Sequence, residues 1–419
     1  MTTLKLATLP RLIPAGLALA VSLICTTHCE AQWTGFLGNR GNPVTTSPVI
    51  PDTFAVEKDG AAAVNIAWRR ELPGRSVSGP IVLVDKVITT SSSAMEGRWG
   101  STTAVDAKNG NIVWTRTIKT TGRPYCHPTS ANAAPTPCSD GQRVFSFFSS
   151  NDLVCYDLDG NLQWFRSLVD AHPLAGNDVG MSASPVVTDG VVIVCVECQA
   201  DSFAAGIDAA TGVTLWELAR PRKANWSSPV VVTGTDGKNV VVIHAGNSAV
   251  GVEPKTGKSV WELDEKCSTI ASASFVNGTL YLPAGGVKAY RIGASSDKPT
   301  LNWSAQKINP SSASLAVVDS LGVLGLNRGV LVCCDDKGEL KWQARLPDAG
   351  QFWSTPVIAG RKLFAADAKG KCLVVDLKDD KGEVLTVTDL GAEVLGSPAV
   401  GADGLYVRST DALWKIKQL

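Results

Sequence analysis

The sequence predicts an all-β chain closed into an eight-bladed β-propeller of four-stranded antiparallel blades, and three observations predict it. A turn pattern, Asp-x-x-x-Gly-x-x-x-Trp, keeps returning, as at Asp208, Gly212 and Trp216. A small-residue lead-in to an apolar strand recurs every 40 to 55 residues, a period typical of propeller blades. One strand near the N-terminal end, with a Trp of its own, has no hairpin before it.

The turn pattern defines the unit. Asp106, Gly110 and Trp114 repeat it at the same spacing, Glu253, Gly257 and Trp261 repeat it with a longer acid, and Asp157-Gly160-Trp164 and Asp335-Gly338-Trp342 are one residue shorter. Apolar runs flank each copy, so each reads as a β-hairpin whose Gly supplies the positive φ of the turn. The acid reads as an Asx-type turn former, because a catalytic residue has no reason to repeat in every unit. A Trp at a fixed place on the second strand buries roughly 150–250 Å², up to about 4–6 kcal/mol, and needs a partner for its indole N–H. A neighbouring copy supplies both. The expected docking residues are Trp68, Trp114, Trp164, Trp216, Trp261, Trp303 and Trp342. The copy from Ala289 to Trp303 has a stretched turn and that from Asp376 to Thr388 has no Trp, so those junctions are expected to be the weaker ones.

The lead-ins number the blades. They are Ser78-Gly79-Pro80, Ala133-Ala134-Pro135, Ala183-Ser184-Pro185, Ser227-Ser228-Pro229, Ser272-Ala273-Ser274, Ser312-Ala313-Ser314, Ser354-Thr355-Pro356 and Gly396-Ser397-Pro398. The last is followed by only three strands, at about 397–400, 404–408 and 411–417. The orphan strand beginning at Val64 and carrying Trp68 is expected to supply the fourth and close the ring, so that residues 64–419 form the propeller.

Residues 1–31 read as a secretory signal, with Lys5 and Arg11 before the apolar run Leu12 to Ile24 and cleavage after Ala31. That run contains Pro14 and is shorter than the roughly 20 residues a membrane span needs, so no transmembrane segment is expected in the mature chain. Residues 32–63 have no strand period but carry Trp33, Phe36 and Leu37, and read as an ordered arm laid over the propeller. Lys plus Arg and Asp plus Glu are 39 each; zero net charge speaks against nucleic acid or an anionic membrane as the main partner.

Nine of the 11 Cys follow the signal, an odd number in a compartment where disulfides form. Cys126 and Cys138 share one loop region and are the pair expected to be bridged. Cys195 and Cys198 lie on or just past a strand, where a separation of three keeps their sulfurs apart. His127, His172 and His244 fall in different blades without ligand spacing, and no Gly-x-Ser-x-Gly, phosphate loop or His-Glu-x-x-His is present. No catalytic residue and no metal site is expected.

From Val64 to Leu419 the chain resembles the PQQ-like β-propeller repeat superfamily, whose docking motif Ala104, Asp106, Gly110 and Trp114 reproduce in full. Length, blade number and signal peptide look most like its BamB group of outer-membrane assembly propellers. That resemblance implies a secreted or periplasmic, non-enzymatic scaffold without a cofactor, a partner that is a protein of the cell envelope, and a chain that is itself a monomer. The alternative within the superfamily is a PQQ-dependent dehydrogenase, which implies the quinone with calcium and a vicinal disulfide. Cys333-Cys334 is the feature that suggests it. Aligned on its repeat, however, Cys333 takes the small-residue position of Ala104, Cys155, Gly206 and Gly251. Both Cys then read as ordinary strand positions, where the distorted peptide of a vicinal disulfide is not supplied.

In a blade of this topology the long loops gather on the face where the inner strands begin. They hold Arg75, Arg98, Trp99, Arg123, His127, Asn177, Asp178, Arg222, Lys223, Trp226 and Trp353. Arg and Trp are enriched among interface anchors, so this face is the candidate partner surface. Trp226 and Trp353 each precede a lead-in and equally suit the plugging of blade junctions.

Overall fold

A computed structural model describes residues 32–419 except Arg40, Pro48, Met95, Glu96 and Asp178; the signal-peptide segment and Asp178 lie outside the described residues. The strands form eight sheets, seven of four strands and one of five. Blade 1 is typical: Ile81–Leu83, Lys86–Ser93, Trp99–Asp106 and Ile112–Lys119 follow one another from the channel to the rim. The eighth blade is completed as the orphan strand requires. Ile66–Glu71 pairs antiparallel with Ala412–Ile416, and Trp68 stands opposite Lys415.

The Trp residues dock forwards, each onto the hairpin turn of the next blade. Trp68 lies on Gly110, Trp114 on Gly160, Trp164 on Gly212 and Trp216 on Gly257, where a Cβ would sit 2.7, 2.6, 2.7 and 2.4 Å from the ring. The same glycines have φ of +74, +80, +73 and +68°, so the position excludes other residues both by conformation and by space. The indole N–H of Trp114, Trp164 and Trp216 donates to the carbonyls of Leu158, Ala209 and Pro254 at 3.0, 3.1 and 2.7 Å. The turn acids act as turn formers: Asp106 Oδ1 accepts from the N–H groups of Lys108 and Asn109, and Asp208 Oδ1 from those of Ala210 and Thr211. A second clamp accompanies three of the Trp. Arg70, Arg116 and Arg166, each two residues after its Trp, donate to the carbonyls of Gly110, Gly160 and Gly212 at 2.5, 2.6 and 2.7 Å.

Irregular copies dock less completely. No glycine of blade 5 lies under Trp261, and the indole nitrogen of Trp342, facing blade 7, is buried without a partner. Blade 7 has no Trp to offer blade 8. Instead the arm braces that junction: Ile50 and Phe54 are buried in the core that blades 7 and 8 share, Phe54 against Phe364 at 5.9 Å between centroids.

The arm also departs from the expected path, because it runs inside the channel instead of over a face. The innermost strands leave their inner edges free, and the arm pairs with those of blades 1, 2, 5, 6 and 7. Trp33 exchanges hydrogen bonds with Val82 of blade 1, Thr34 accepts from the N–H of Ser139 in blade 2, and Gly41 from that of Phe275 in blade 5. Asn42 bonds both main-chain groups of Val317 in blade 6, and Val44–Thr45 lies parallel to Val357–Ala359 of blade 7 as its fifth strand. Trp33 and Leu37 are buried. Unpaired edges in a dry channel would leave main-chain groups unsatisfied; this strand-poor segment supplies their partners.

Above the arm a ring of hydroxyls ties the blades together. The N–H of Gly79, Thr136, Ser184, Ser228, Ser272, Ser314 and Thr355 each donates to the hydroxyl of the next blade's corresponding residue, ending at Ser397, at 2.9–3.0 Å. Gly79 has no hydroxyl to complete the circle. There the ends meet by close approach, a Cβ on Gly396 falling 2.1 Å from the Ser78 carbonyl. The ring corrects one lead-in: in blade 2 the equivalent residue is Thr136, between Pro135 and Pro137, two residues beyond Ala134.

The cysteines are all free thiols among the described residues. Cys126 and Cys138 are not bridged, which corrects the expected pairing. Twelve residues of chain can span about 40 Å; Cys126 stays in the loops beside Gly180, whereas Cys138 has descended to the inner strand beside Gly35. Cys195 and Cys198 face different blade interfaces. Cys333 stands opposite Trp342, as Ala104 stands opposite Trp114, and is a regular strand residue.

Candidate functional site

Two hollows lie where the loops gather. The channel opens on the face from which the inner strands start and is floored by the arm, leaving a blind funnel of about 270 Å³. Its wall is the hydroxyl ring, its floor includes Phe36, and Trp226 and Trp353 stand at its mouth with Val179, Ile270 and Leu395. Among the described residues, none that lines it carries a charge or an amide side chain. Beside the funnel, on the loops of blades 1 to 3, a second hollow of about 430 Å³ is lined by Arg123, Val169, Pro173 and Leu174.

Trp226 and Trp353 therefore share one feature, and neither is sealed inside a blade junction. Trp226 is fixed: its main-chain N–H donates to the Thr269 carbonyl at 2.7 Å and its indole N–H to the Gly180 carbonyl at 2.8 Å. Trp353 is 42% exposed. Trp99 is 43% exposed at the start of its strand. Arg98 accepts at its carbonyl from Thr120 at 3.0 Å, which joins its loop to the segment bearing Arg123. The Arg123 guanidinium lies over Tyr125 at 5.6 Å, and His127 Nδ1 pairs with the Thr129 hydroxyl at 2.8 Å. Arg222 is exposed on the loop between blades 3 and 4. Two sequence candidates are occupied in holding the loops. Arg75 bridges Glu393 at 2.9 Å and bonds the Ser130 carbonyl, and Asn177 Oδ1 accepts from the N–H groups of Val179 and Gly180.

Sequence reasoning missed the polar cluster behind Trp226. Arg220 and Glu197 form a buried ion pair at 2.6 Å, their side chains 5% and 1% exposed. Asn225, next to Trp226, donates from its main chain to the Glu197 carbonyl and from its side chain to the His244 carbonyl at 2.9 Å. Burial raises the Glu197 carboxyl, and Arg220 opposes the rise. The signal was present only as an apolar strand ending in an unexplained acid, Cys-Val-Glu-Cys, and no spacing connects Glu197 with Arg220 or His244.

Burial also pushes the His244 imidazole down to about 4, with the Arg220 charge adding to the effect; the Ser268 main chain offsets it only in part, as neither ring nitrogen reaches hydrogen-bond geometry. The fold thus refuses a proton that the unfolded chain accepts near pH 6.5. Stability is full above that value and falls as pH drops from 6.5 towards 4, by up to about 3 kcal/mol from this residue. Thermal melts at steps from pH 7.5 to 4.5 should show His244→Gln losing less stability on acidification than the native protein. Parallel profiles would remove His244 as the cause.

No group of three or more His, Cys, Asp or Glu is placed to hold a metal among the described residues. The vicinal thiols Cys333 and Cys334 are buried in strand Val330–Cys334, raised to about 12 and about 11 chiefly by burial, and do not line the funnel. The quinone with its calcium demands cationic and carboxylate or amide partners; among the described residues the funnel lining holds neither.

Known proteins resemble this chain at two levels, sequence family and fold. A family model described as outer membrane protein assembly factor BamB matches residues 51–196 and 100–298, together more than half of the chain. No curated protein matches in sequence. Among solved structures, BamB from Moraxella catarrhalis is 17% identical with a TM-score of 0.62, covering 84% of this chain and 97% of its own. A europium-containing methanol dehydrogenase is 14% identical with a TM-score of 0.65, covering 91% and 90%. A quinohemoprotein alcohol dehydrogenase from Comamonas testosteroni is 12% identical with a TM-score of 0.65, covering 92% and 80%. At these identities the likeness is one of fold. No helix among the described residues is long and apolar enough to cross a membrane.

Proposed function

The chain belongs to the PQQ-like β-propeller family of the outer membrane protein assembly factor BamB, and from that premise we propose that it is a secreted, non-enzymatic scaffold which binds a protein partner in the cell envelope. The observation that carries the reading is the collection of exposed large apolar side chains on the loop-bearing face: Trp99 at 43%, Tyr125 at 43%, Leu174 at 67%, Val179 at 49% and Trp353 at 42%. Exposed apolar residues elsewhere, such as Leu162, Leu215 and Leu301, stand on outer strands of separate blades. A face with aromatic side chains and arginines about it has the make-up of an interface core. The funnel lining, without charge among the described residues, supports the scaffold reading over a quinone-dependent dehydrogenase. The partner belongs, on this reading, to the outer-membrane assembly apparatus, and the propeller works as a periplasmic monomer.

The test has two arms. Envelope pull-downs compare the native protein with an Arg98→Ala, Trp99→Ala, Arg123→Ala variant of unchanged melting temperature; loss of the same partner from the variant alone is the expected result, and equal retention moves the surface off this face. Native protein supplied with PQQ and Ca²⁺ should reduce no dye in the presence of alcohols or sugars. Saturable turnover would overturn the scaffold reading.

A further inference from the structure

The funnel has a chemistry that the partner surface does not use. Every ring hydroxyl on its wall, such as Thr136, Ser184, Ser228, Ser272 and Ser397, accepts one main-chain N–H from the adjacent blade. A hydroxyl has one O–H to give, and among the described residues none of these five donates to the protein. The wall is thus a circle of spare donors at fixed positions. Among the described residues nothing charged lines it, so those residues offer no counter-ion for an anion and no carboxylate for a cation or for the paired hydroxyls of a sugar. The remaining surface is apolar or aromatic, and the Trp226 ring is held in place before any ligand arrives, which lowers the ordering cost of binding. The volume, about 270 Å³, lies just below the usual range of ligand pockets, about 300 to 1,000 Å³, and suits a small molecule.

We propose that the funnel is a binding site for a single small, neutral, ring-bearing molecule with a carbonyl oxygen. The ring lies between Trp226 and Trp353, and the carbonyl accepts from the ring hydroxyls below. The site takes such a molecule in preference to an anionic quinone; it shares Val179 and Trp353 with the partner face, whereas Arg98, Trp99 and Arg123 do not line it.

Prodan, a neutral naphthyl ketone whose emission shifts to the blue and brightens in a dry, hydroxyl-bearing pocket, is the probe. Titration into the full mature chain should show saturable binding at one site. Trp353→Ala should weaken it about tenfold, as loss of an aromatic anchor does. Ser312→Phe, which fills the funnel from a lining residue outside the hydroxyl ring, should abolish it with melting temperature unchanged, and Leu174→Ala on the neighbouring hollow should leave it intact. Pyrroloquinoline quinone should not compete. Absence of saturable binding, binding that survives Ser312→Phe, or displacement by pyrroloquinoline quinone would each overturn the proposal. The pull-down variant alters Arg98, Trp99 and Arg123, none of which lines the funnel, so the two readings fail separately.

Discussion

Trp216→Ala should lower the unfolding free energy by roughly 3–5 kcal/mol, the range for emptying a large aromatic site in a packed core. Trp216 is 8% exposed. Its ring fills the space over Gly257, whose φ of +68° and absent Cβ exist for this contact, and its indole N–H bonds the Pro254 carbonyl at 2.7 Å. Removing it leaves a cavity between blades 3 and 4 and an unpaired carbonyl. Neither can be repaired by collapse, because the hydroxyl ring fixes the spacing of the inner strands. Trp99→Ala, at an exposed position of the loop-bearing face, should cost well under 1 kcal/mol. Urea melts of the two variants measure the contrast, and equal losses would mean that the forward docking of Trp does not hold the blades.

Arg220→Met should be as damaging, at about 3–5 kcal/mol, for a different reason. The substitution keeps the volume but leaves Glu197 buried and unpaired, and an unpaired buried charge costs more than the intact pair returns. A Glu197→Leu, Arg220→Met double variant removes both charges and should be distinctly more stable than Arg220→Met alone. The same melts check it: a double variant no better than the single one would place the loss in packing and not in the stranded carboxylate.

The architecture was legible because it repeats. Asp106, Asp157, Asp208 and Asp335 announced the turns, and the orphan Trp68 strand announced the closure, since each signal is local and is stated several times. The Trp-x-Arg clamp, at Arg70, Arg116 and Arg166, could have been read in the same way, from three copies at one spacing. Blade 2 misled because Ala134-Pro135 and Thr136-Pro137 present the lead-in pattern twice, and only the hydroxyl contact with Ser184 selects between them. What does not repeat was not legible. The arm's path depends on partners some 50 to 315 residues away, from Val82 to Ile358, and the Glu197, Arg220 and His244 cluster assembles from two blades. The funnel's neutrality depends on the orientation of residues whose sequence neighbours, Arg222 and Lys223 among them, are charged.

The route of the arm has a consequence for the order in which the molecule can be made. Residues 33 to 45 leave the ribosome before any blade exists, yet their partners in blades 5, 6 and 7 lie 230 or more residues downstream, and Ile66–Glu71 must wait for Ala412–Ile416. Early blades can form hairpins as they emerge, but the channel cannot fill and the ring cannot close until synthesis is nearly complete. During that interval Ile50 and Phe54, which pack in the core of blades 7 and 8, remain uncovered, and such long-range pairing is slow and prone to misassociation. The nascent protein is therefore a natural client for a holding chaperone, and its first 40 ordered residues, the last to find their places, are the segment such a chaperone would grip.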